Sequence, residues 1–352
     1  MKRKIKLAII LGTLLFSGQI LFAQYATTRV NDKYQAYTDS LKQVDYDYIF
    51  PFLGQGAYKK GFDIPYPAGV MSNFIWMRQS IIMSNMQLGF DGVNNDIPLT
   101  NVDDLIEFGQ NTNTSYTVNF RPDLWVFPFL NVYGLFGYGH STTEVNLVAP
   151  VALNSIVEQN ISTKGFGVLG GGGVGPVWVT VDANWTWNKP ELLEDPVKVR
   201  VMGLRVGHTI KFNHRPQSNV AFWIGAMSAN MSSGTVGAVA LKDALPADFW
   251  TKKDQFVDDY WAWYNSLDPS KPGDRIKIDK ADKILTPIVE SIDSRSGEGV
   301  VKYAMDKQVK EKWNGLFGAQ YQLNKHWMFR TEAGLIGDRK QILASVNYRF
   351  LL

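Results

Sequence analysis

The last residues of this 352-residue chain alternate in side-chain character with a period of two. One set of positions is apolar and becomes aromatic towards the end: Ile342, Ala344, Val346, Tyr348, Phe350 and Leu352. The positions between them are mostly polar: Gln341, Leu343, Ser345, Asn347 and Arg349. Successive side chains of a β-strand point to opposite faces, so this segment predicts a strand with one apolar face and one polar face. A strand that crosses a membrane in a barrel has this pattern, because one face meets lipid and the other meets the lumen.

This segment resembles the C-terminal strand of Gram-negative outer-membrane β-barrel proteins. The resemblance is to a broad class and implies no single activity. It implies that the protein lies in the cell outer membrane, that outer-membrane lipid surrounds it, and that the barrel assembly machinery is a partner that reads the terminal strand.

The N-terminus favours the same location. Residues 1–6 are basic, Leu7 to Phe22 are mostly apolar, and Ala23 precedes a suitable cleavage point, so residues 1–23 read as a signal peptide. Beyond residue 23 no run approaches the roughly 18 apolar residues of a membrane helix. The chain has no cysteine, which excludes disulfides and a lipid-modified N-terminal cysteine.

Further segments alternate in the same way from about residue 67 to the end. The clearest examples are Ser115–Val126, Val177–Trp187, Asn219–Met227, Leu316–Leu323 and Trp327–Leu335. In residues 197–212 the apolar positions change parity, which predicts a β-bulge near Met202 and Gly203. Counting these segments predicts an all-β fold, an antiparallel up-and-down transmembrane barrel. We expect ten strands, with residues 68–90 as one tall strand. The alternative is twelve strands, if these residues fold as a hairpin near Gln79 and Ser80 and another strand lies within a long loop.

The domain organisation follows from the same count. We expect a signal peptide at 1–23, a periplasmic segment with a short helix at 24–66, and the barrel at 67–352. Residues 231–312 contain apolar residues at helical spacing and predict a helical insert in one outer loop. Long outer loops are also expected at 91–113, 141–160 and 189–195, and short periplasmic turns include 170–173.

Charged residues at lumen-facing positions supply the candidate site. Their predicted lumen or pore members are Arg121, Asp123, Asp182, Arg200, Arg205, Arg330, Glu332 and Arg349. The same alternation also assigns Arg78, Lys198 and Lys211 to the lumen. An Arg or Lys facing lipid at mid-membrane costs about 2–4 kcal/mol, so these positions predict a polar interior. Basic residues outnumber acidic ones among these positions by eight to three, which favours anions on any open path.

The leading functional hypothesis is therefore a channel or transport role for small anionic or amphipathic solutes, with no pattern that names the solute. One alternative is a barrel with a closed lumen whose helical insert binds a partner or surface glycan. Another is a lipid-modifying esterase, because His140, Thr142 and Glu144 share a strand face in the manner of barrel phospholipases and deacylases, with Thr142 in place of the usual serine. We favour a non-enzymatic role.

Cofactor, metal and nucleic-acid binding are not expected. Residues 165–170 read Gly-Phe-Gly-Val-Leu-Gly, which matches the dinucleotide fingerprint, but more glycine and a strand follow where a helix N-terminus is needed. No HExxH motif, cysteine metal site or dense carboxylate loop is present. The net charge of +3 is too small to argue for a nucleic-acid partner.

Overall fold

A computed structural model describes residues 36–92, 96–174, 176–193, 195–212, 214–232, 234–295 and 297–351. The predicted signal peptide and Leu352 lie outside these residues. The strands, in chain order, are β1 (Ala68–Asp91), β2 (Asp96–Asn101), β3 (Glu107–Phe108), β4 (Asn111–Phe127), β5 (Leu130–Ala149), β6 (Leu153–Val174), β7 (Val177–Pro190), β8 (Val197–Phe212), β9 (Arg215–Ser232), β10 (Gly234–Ala240), β11 (Val300–Val309), β12 (Trp313–Gln322), β13 (Trp327–Ile336) and β14 (Lys340–Phe350).

Strand β1 closes the barrel by pairing along both of its edges. Ala68 is opposite Phe350 of β14 on one side and opposite Leu124 of β4 on the other. From β4 the antiparallel pairing continues through β5, β6, β7, β8, β9, β12 and β13 to β14. Ten strands therefore form a closed antiparallel barrel with no free edge, as predicted.

The first strand has 24 residues and extends well beyond the part that pairs with β4. Its lower part, from Ala68 to Ile81, pairs with β4, while its upper part pairs with β11 and β2. A register shift between Ser84 and Gln87 and a positive φ of 53° at Asn85 mark the bend between the parts. Residues 68–90 are thus one tall strand, which confirms ten barrel strands and excludes the predicted hairpin near Gln79.

The outer surface of the barrel is apolar and aromatic. Exposed side chains on this surface include Phe74, Val118, Phe136, Val181, Leu204, Ile224, Phe329 and Val346. On β14 the five described apolar residues Ile342, Ala344, Val346, Tyr348 and Phe350 face outward, while Gln341, Ser345 and Asn347 are buried inside. A closed barrel with an apolar belt and a polar interior is the arrangement of outer-membrane proteins, and the chain lies in that membrane.

The two ends of the barrel differ. Short turns join β4 to β5, β6 to β7, β8 to β9 and β12 to β13 at the end where β14 finishes, which is the periplasmic end by the usual topology. Residues 36–67 pack against this end: the Phe52 amide donates to the Val126 carbonyl, and the Trp125 amide donates to the Pro67 carbonyl. This segment contains helical residues at 36–42, the helix Gly54–Lys59, and a small core around Leu41, Tyr58 and Ile64.

The other end carries a folded cap, here defined as residues 234–309. It comprises the paired strands β10 and β11, the helices Leu241–Ala244, Lys253–Ser266, Pro272–Lys280 and Thr286–Arg295, a 3₁₀ turn at Ala247–Thr251 and a π-helical turn at Ala281–Leu285. Tyr260 and Ile292 are almost completely buried in its core, which also contains Phe90 from β1 and Val151 from the β5–β6 turn. The predicted insert is therefore partly β-sheet as well as helical. Among the described residues no helix is long and apolar enough to cross a membrane.

Two sequence expectations about strand boundaries are wrong. Residues 141–160 are mostly strand rather than loop, because β5 and β6 remain paired up to Leu147 opposite Leu153. The predicted turn at 170–173 also lies within β6, whose pairing with β7 continues to Val174. Ladder hydrogen bonds hold these segments in strand conformation whether or not their side chains meet lipid.

The predicted bulge near Met202 and Gly203 is also wrong. Strand β8 pairs without interruption with β7 and with β9 through this region. Its alternation is therefore continuous, and Val199 and Val201 face the lumen rather than lipid. An apolar residue can lie on either face of a barrel strand, so a change in the parity of apolar positions does not require a change in backbone register.

The buried cap residue Ile284 provides a test of the cap as a separately stabilised unit. It is 0% exposed and packs in a cluster with Met86, Val102 and Leu105. Replacing Ile284 with Ala should destabilise the cap by about 2–5 kcal/mol through the lost contacts and the cavity left behind. Faster tryptic cleavage of the cap should result, while heat-modifiable migration of the barrel on gels should not change.

The control substitution is Ile276→Ala, since Ile276 is 52% exposed. Equal cleavage rates for Ile284→Ala, Ile276→Ala and the unmodified protein would contradict the packing described for the cap.

Candidate functional site

The lumen brings together seven of the eight predicted site residues. Two cavities lie in the described part of the lumen, and each of the seven residues lines one or both of them: Arg121, Asp123, Asp182, Arg205, Arg330, Glu332 and Arg349. These seven residues, here named the charged layer, come from β4, β7, β8, β13 and β14. The layer therefore joins strands from opposite sides of the barrel.

Arg200 is the exception, and its assignment to the lumen is wrong. Its register partners are Trp185 of β7 and Asn230 of β9, which face outward with it. Continuous pairing places the odd-numbered residues of β8 inside and the even-numbered ones outside, because Arg205 is inside. Lys198 is an even-numbered residue of β8 and therefore also faces outward. Arg78 faces outward on β1, because its neighbours Met77 and Gln79 face the lumen.

Glu332 is the centre of one half of the charged layer. Its Oε2 and Oε1 accept hydrogen bonds from Nε and Nη2 of Arg205 at 2.7 and 2.9 Å. Arg330 Nη2 and Trp223 Nε1 also donate to Oε2, both at 2.8 Å. Arg205 Nη1 in turn donates to Asp182. Glu332 is only 2% exposed, so this carboxylate is held in the interior by charged and neutral donors from three other side chains.

Asp123 is the centre of the other half. Its Oδ1 accepts from Arg349 Nη2 at 2.9 Å and from Asn131 Nδ2 at 2.7 Å. The side-chain oxygen of Asn131 accepts from Arg121 Nη2 at 3.3 Å. Asn131 was not predicted as a site residue, although its polar side chain at a lumen position of β5 was a signal that could have identified it.

Two arginines of the layer lie against aromatic rings. Arg121 Cζ is 3.6 Å from the centroid of Tyr133, and Arg330 Cζ is 4.8 Å from the centroid of Trp223. An aromatic face attracts a guanidinium and partly replaces the water that it has lost. Both Nε atoms are buried and make no hydrogen bond among the described residues. Arg121 and Arg330 are thus less completely paired than Arg205.

The charged layer separates two cavities. The lower cavity, of about 380 Å³, opens towards the periplasmic end and has Trp178, Lys211 and Asn219 in its wall. The upper cavity, of about 420 Å³, extends towards the cap. Arg121, Arg205 and Arg330 line both of them, together with the apolar Met71 and Leu169, so one layer of side chains lies between the two.

The wall of the upper cavity is strongly mixed in character. Polar residues come chiefly from β4 and β7, including Asn113, Ser115, Thr117, Asn184 and Thr186. Apolar residues come from β1, β5, β6, β8 and β14, including Ile75, Met77, Leu135, Ile161, Val199, Val201 and Leu343. Two cations that sequence reasoning did not select, Lys307 and Arg339, complete this wall near the cap. They were missed because one lies in the insert and the other in a turn.

The lower cavity is bordered at its mouth by the N-terminal segment. Lys325 Nζ lies 3.3 Å from Asp63 Oδ1, and Arg349 Nε donates to the Tyr66 carbonyl at 2.8 Å. Burial lowers the pKa of Lys325, but the neighbouring Asp63, Tyr37 and Tyr58 together outweigh this effect, and the pKa is raised above its ordinary value. The ammonium is consequently charged at any physiological pH, and its ion pair fastens residues 36–67 to the β12–β13 turn.

The predicted hydrolase arrangement is not assembled. His140, Thr142 and Glu144 share one face of β5, as expected from alternation, and that face is the outer one. However, His140 Nδ1 is 3.2 Å from Asn160 Oδ1, and Glu144 Oε2 accepts from Thr112 at 2.9 Å. No bond from His140 to a hydroxyl is seen among the described residues. Within that same part of the chain, no cluster of three or more His, Asp or Glu side chains could hold a metal ion.

Comparison with known protein families and with curated proteins finds no match to this chain. Among solved structures, the beta domain of the Bordetella autotransporter Brka is similar at 8% identity, over 81% of this chain and 100% of that chain, with a TM-score of 0.36. The translocator domain of the autotransporter NalP from Neisseria meningitidis is similar at 10% identity, over 90% of this chain and 99% of that chain, with a TM-score of 0.32.

A third structure is the toluene transporter TbuX of Ralstonia pickettii, at 9% identity over 81% of this chain and 90% of that chain, with a TM-score of 0.28. At such low TM-scores and identities these likenesses carry no argument about function. The barrel of this chain rests on its own strand pairing.

Glu332 provides a test of the charged layer. Replacing it with Ala should destabilise the barrel by about 3–5 kcal/mol, because Arg205 and Arg330 would keep their buried charges and lose their main acceptor. The measurement is urea unfolding of refolded protein in lipid, followed by the fluorescence of tryptophan.

Thr331→Ala is the matched control on the same strand, since Thr331 is exposed on the outer face. We expect it to change the free energy of unfolding by no more than about 0.5 kcal/mol. Equal stability of the Glu332→Ala and Thr331→Ala variants would show that the layer is not a stabilising network.

Proposed function

We propose that this outer-membrane barrel provides a path for small anionic or amphipathic solutes. The observation that carries the proposal is the arrangement of the lumen, in which two cavities are separated by a single charged layer with an arginine excess. A barrel whose only need was a filled interior could pack its centre with neutral side chains. The two cavities instead leave space on either side of a charged barrier.

The charge count of the layer favours anions. Its members are four arginines and three carboxylates, which leaves a net charge of +1: Arg121, Arg205, Arg330 and Arg349 against Asp123, Asp182 and Glu332. Further cations line the cavities, with Lys211 in the lower one and Lys307 and Arg339 in the upper one. In a low-dielectric barrel such charges act over the width of the lumen and attract anions.

The wall of the upper cavity supports amphipathic solutes in particular. A solute with an anionic head and an apolar tail can place its head near Lys307 and Arg339 and its tail along Ile75, Val199 and Leu343. Arg339 is already held by a hydrogen bond from its Nε to Gln79 Oε1 at 2.8 Å. Lys307 makes no hydrogen bond or ion pair among the described residues, so its ammonium is the one available to a ligand.

Passage requires the charged layer to rearrange. Arg121 and Arg330 are its most weakly paired members, since each leaves a buried Nε without an acceptor among the described residues. Arg205, by contrast, is held by two carboxylates. We therefore infer that Arg121 and Arg330 move aside, Arg330 by breaking its one ion pair with Glu332, while Arg205, Asp182 and Glu332 stay in place.

A surface-binding role is the second candidate. The cap favours it, because this segment has its own buried core and is therefore more than a loop between two strands. In that case the lumen would remain closed and the cap would bind a partner at the cell surface.

Ion selectivity tests the transport proposal. Arg121→Glu should shift the reversal potential in a salt gradient towards cations, because it changes the net charge of the layer from +1 to −1. The measurement uses planar bilayers and protein lacking most of residues 231–312. A short turn can replace these residues because Trp313 and Ser228 are register partners on adjacent strands.

Arg200→Glu is the control, since it makes the same charge change on the outer face. It should leave the reversal potential unchanged. If the shortened protein shows no conductance, the transport proposal fails and the surface-binding role replaces it.

Binding of an amphipathic anion provides a second test. Lys307 lies on β11, above the ten-stranded barrel. Burial of its side chain lowers the pKa of the ammonium group. As pH rises through that lowered pKa, Lys307 loses its charge. The affinity for dansylated undecanoate should therefore fall at a pH below the ordinary titration range of lysine, as measured by fluorescence in nanodiscs.

Lys307→Met should bind this probe more weakly at neutral pH and lose the pH dependence. Lys310→Met, at an exposed position just after β11, should behave like the unmodified protein. Identical pH profiles for all three proteins would remove Lys307 from the binding site.

A further inference from the structure

Three cations that do not enter the lumen lie together on the outer face of the barrel. Lys164 of β6 and Lys198 of β8 are both register partners of Trp187 on the strand between them. Arg200, two residues after Lys198, is the register partner of Trp185. With strands about 4.8 Å apart and about 3.3 Å per residue, the three backbones lie within about 12 Å of one another.

Aromatic rings lie between these cations. Phe166 stacks on Trp185 with ring centroids 5.4 Å apart, and it lies 6.0 Å from Trp187. Phe166 is 50% exposed and Trp185 is 36% exposed. Tryptophan at the end of a membrane strand marks the interface between lipid and water. The group of Lys164, Phe166, Trp185, Trp187, Lys198 and Arg200 is here named the outer basic patch.

The position of this patch is at the outer interface of the membrane. Trp187 is three residues from the outer end of β7 at Pro190, and Lys198 is the second residue of β8. A basic side chain at the lipid face costs about 2–4 kcal/mol at mid-membrane but only about 0–1 kcal/mol near an interface. Three cations are therefore tolerated at this height, where the headgroups of the outer leaflet surround the barrel.

The cations of the patch have no acidic partner among the described residues. None of the salt bridges there includes Lys164, Lys198 or Arg200. The nearby Glu191 is engaged instead by Asn160, at 3.1 and 3.2 Å. Most exposed surfaces mix both signs of charge, but this facet presents three unpaired cations to the membrane interface.

We propose that the outer basic patch binds a phosphorylated glycolipid of the outer leaflet. Lys164, Lys198 and Arg200 bind its phosphate groups, while Phe166, Trp185 and Trp187 contact the sugar backbone and the first part of the acyl chains. The patch is continuous with the lipid-facing surface of the barrel, and its charge is complementary to phosphate. Three cations spread over three strands fit a headgroup that carries more than one phosphate better than a headgroup with one.

The test uses protein refolded without glycolipid and placed in phosphatidylcholine nanodiscs. Native mass spectrometry then measures binding of added bisphosphorylated lipid A, its dephosphorylated form, and phosphatidylglycerol. The unmodified protein should bind bisphosphorylated lipid A at least tenfold more tightly than either of the other two lipids. The variant Lys164→Gln, Lys198→Gln, Arg200→Gln should lose that preference.

The matched control removes the same charge from the cap. Lys242, Lys271 and Lys283 are all exposed there, and their replacement by Gln should leave the preference intact. Heat-modifiable migration verifies that each variant has folded. Equal binding of lipid A with and without phosphate, equal binding of phosphatidylglycerol, or equal loss in both triple variants would each overturn the proposal. None of the six substitutions is in the charged layer, so this outcome is independent of the transport experiment.

Discussion

The requirement that every backbone polar group be paired within the bilayer governs this structure. Lipid offers no hydrogen bonds, so strands can cross it only in a closed sheet. Strand β1 meets that requirement by pairing with β14 on one edge and β4 on the other. Once the ladder is closed, alternate side chains must face lipid or lumen, and both candidate binding regions follow from that division.

The lumen of the barrel contains charges that would be costly if they were unpaired. The structure stabilises them in two ways. Two carboxylates hold Arg205, and one carboxylate together with backbone carbonyls holds Arg349. Arg330 has one ion pair with Glu332 and lies against Trp223, whereas Arg121 lies against Tyr133 and donates only to the amide oxygen of Asn131 among the described residues. This difference gives the charged layer a firmly paired part and a weakly paired part, and the proposed path depends on the weakly paired part.

The cap is attached to the barrel by an extension of strand β1. Because β1 continues above the barrel, it provides an edge for β11, and its tip contributes Phe90 to the core of the cap. The helical part of the cap also departs from regular α-helix directly before the segment that contains Pro287. Proline lacks an amide hydrogen and conflicts with the preceding turn of a regular helix, and a π-helical turn at Ala281–Leu285 comes directly before the segment that contains it. Ile284 within that turn is completely buried.

The sequence by itself determined the fold class, the membrane location and most of the lumen. A period of two is a direct consequence of strand geometry, so the outward face of β14 and the inward positions of Arg121, Glu332 and Arg349 could be read from alternation alone. Only the tertiary structure decided which side chains of β8 point to the lumen and which point to lipid. Its valines and its basic residues could each be placed on either side, and pairing with β7 and β9 turns Val199 and Val201 inward and Lys198 and Arg200 outward. The cations Lys307 and Arg339 were likewise beyond sequence reasoning, because residues outside the barrel strands reach the lumen through packing and follow no strand period.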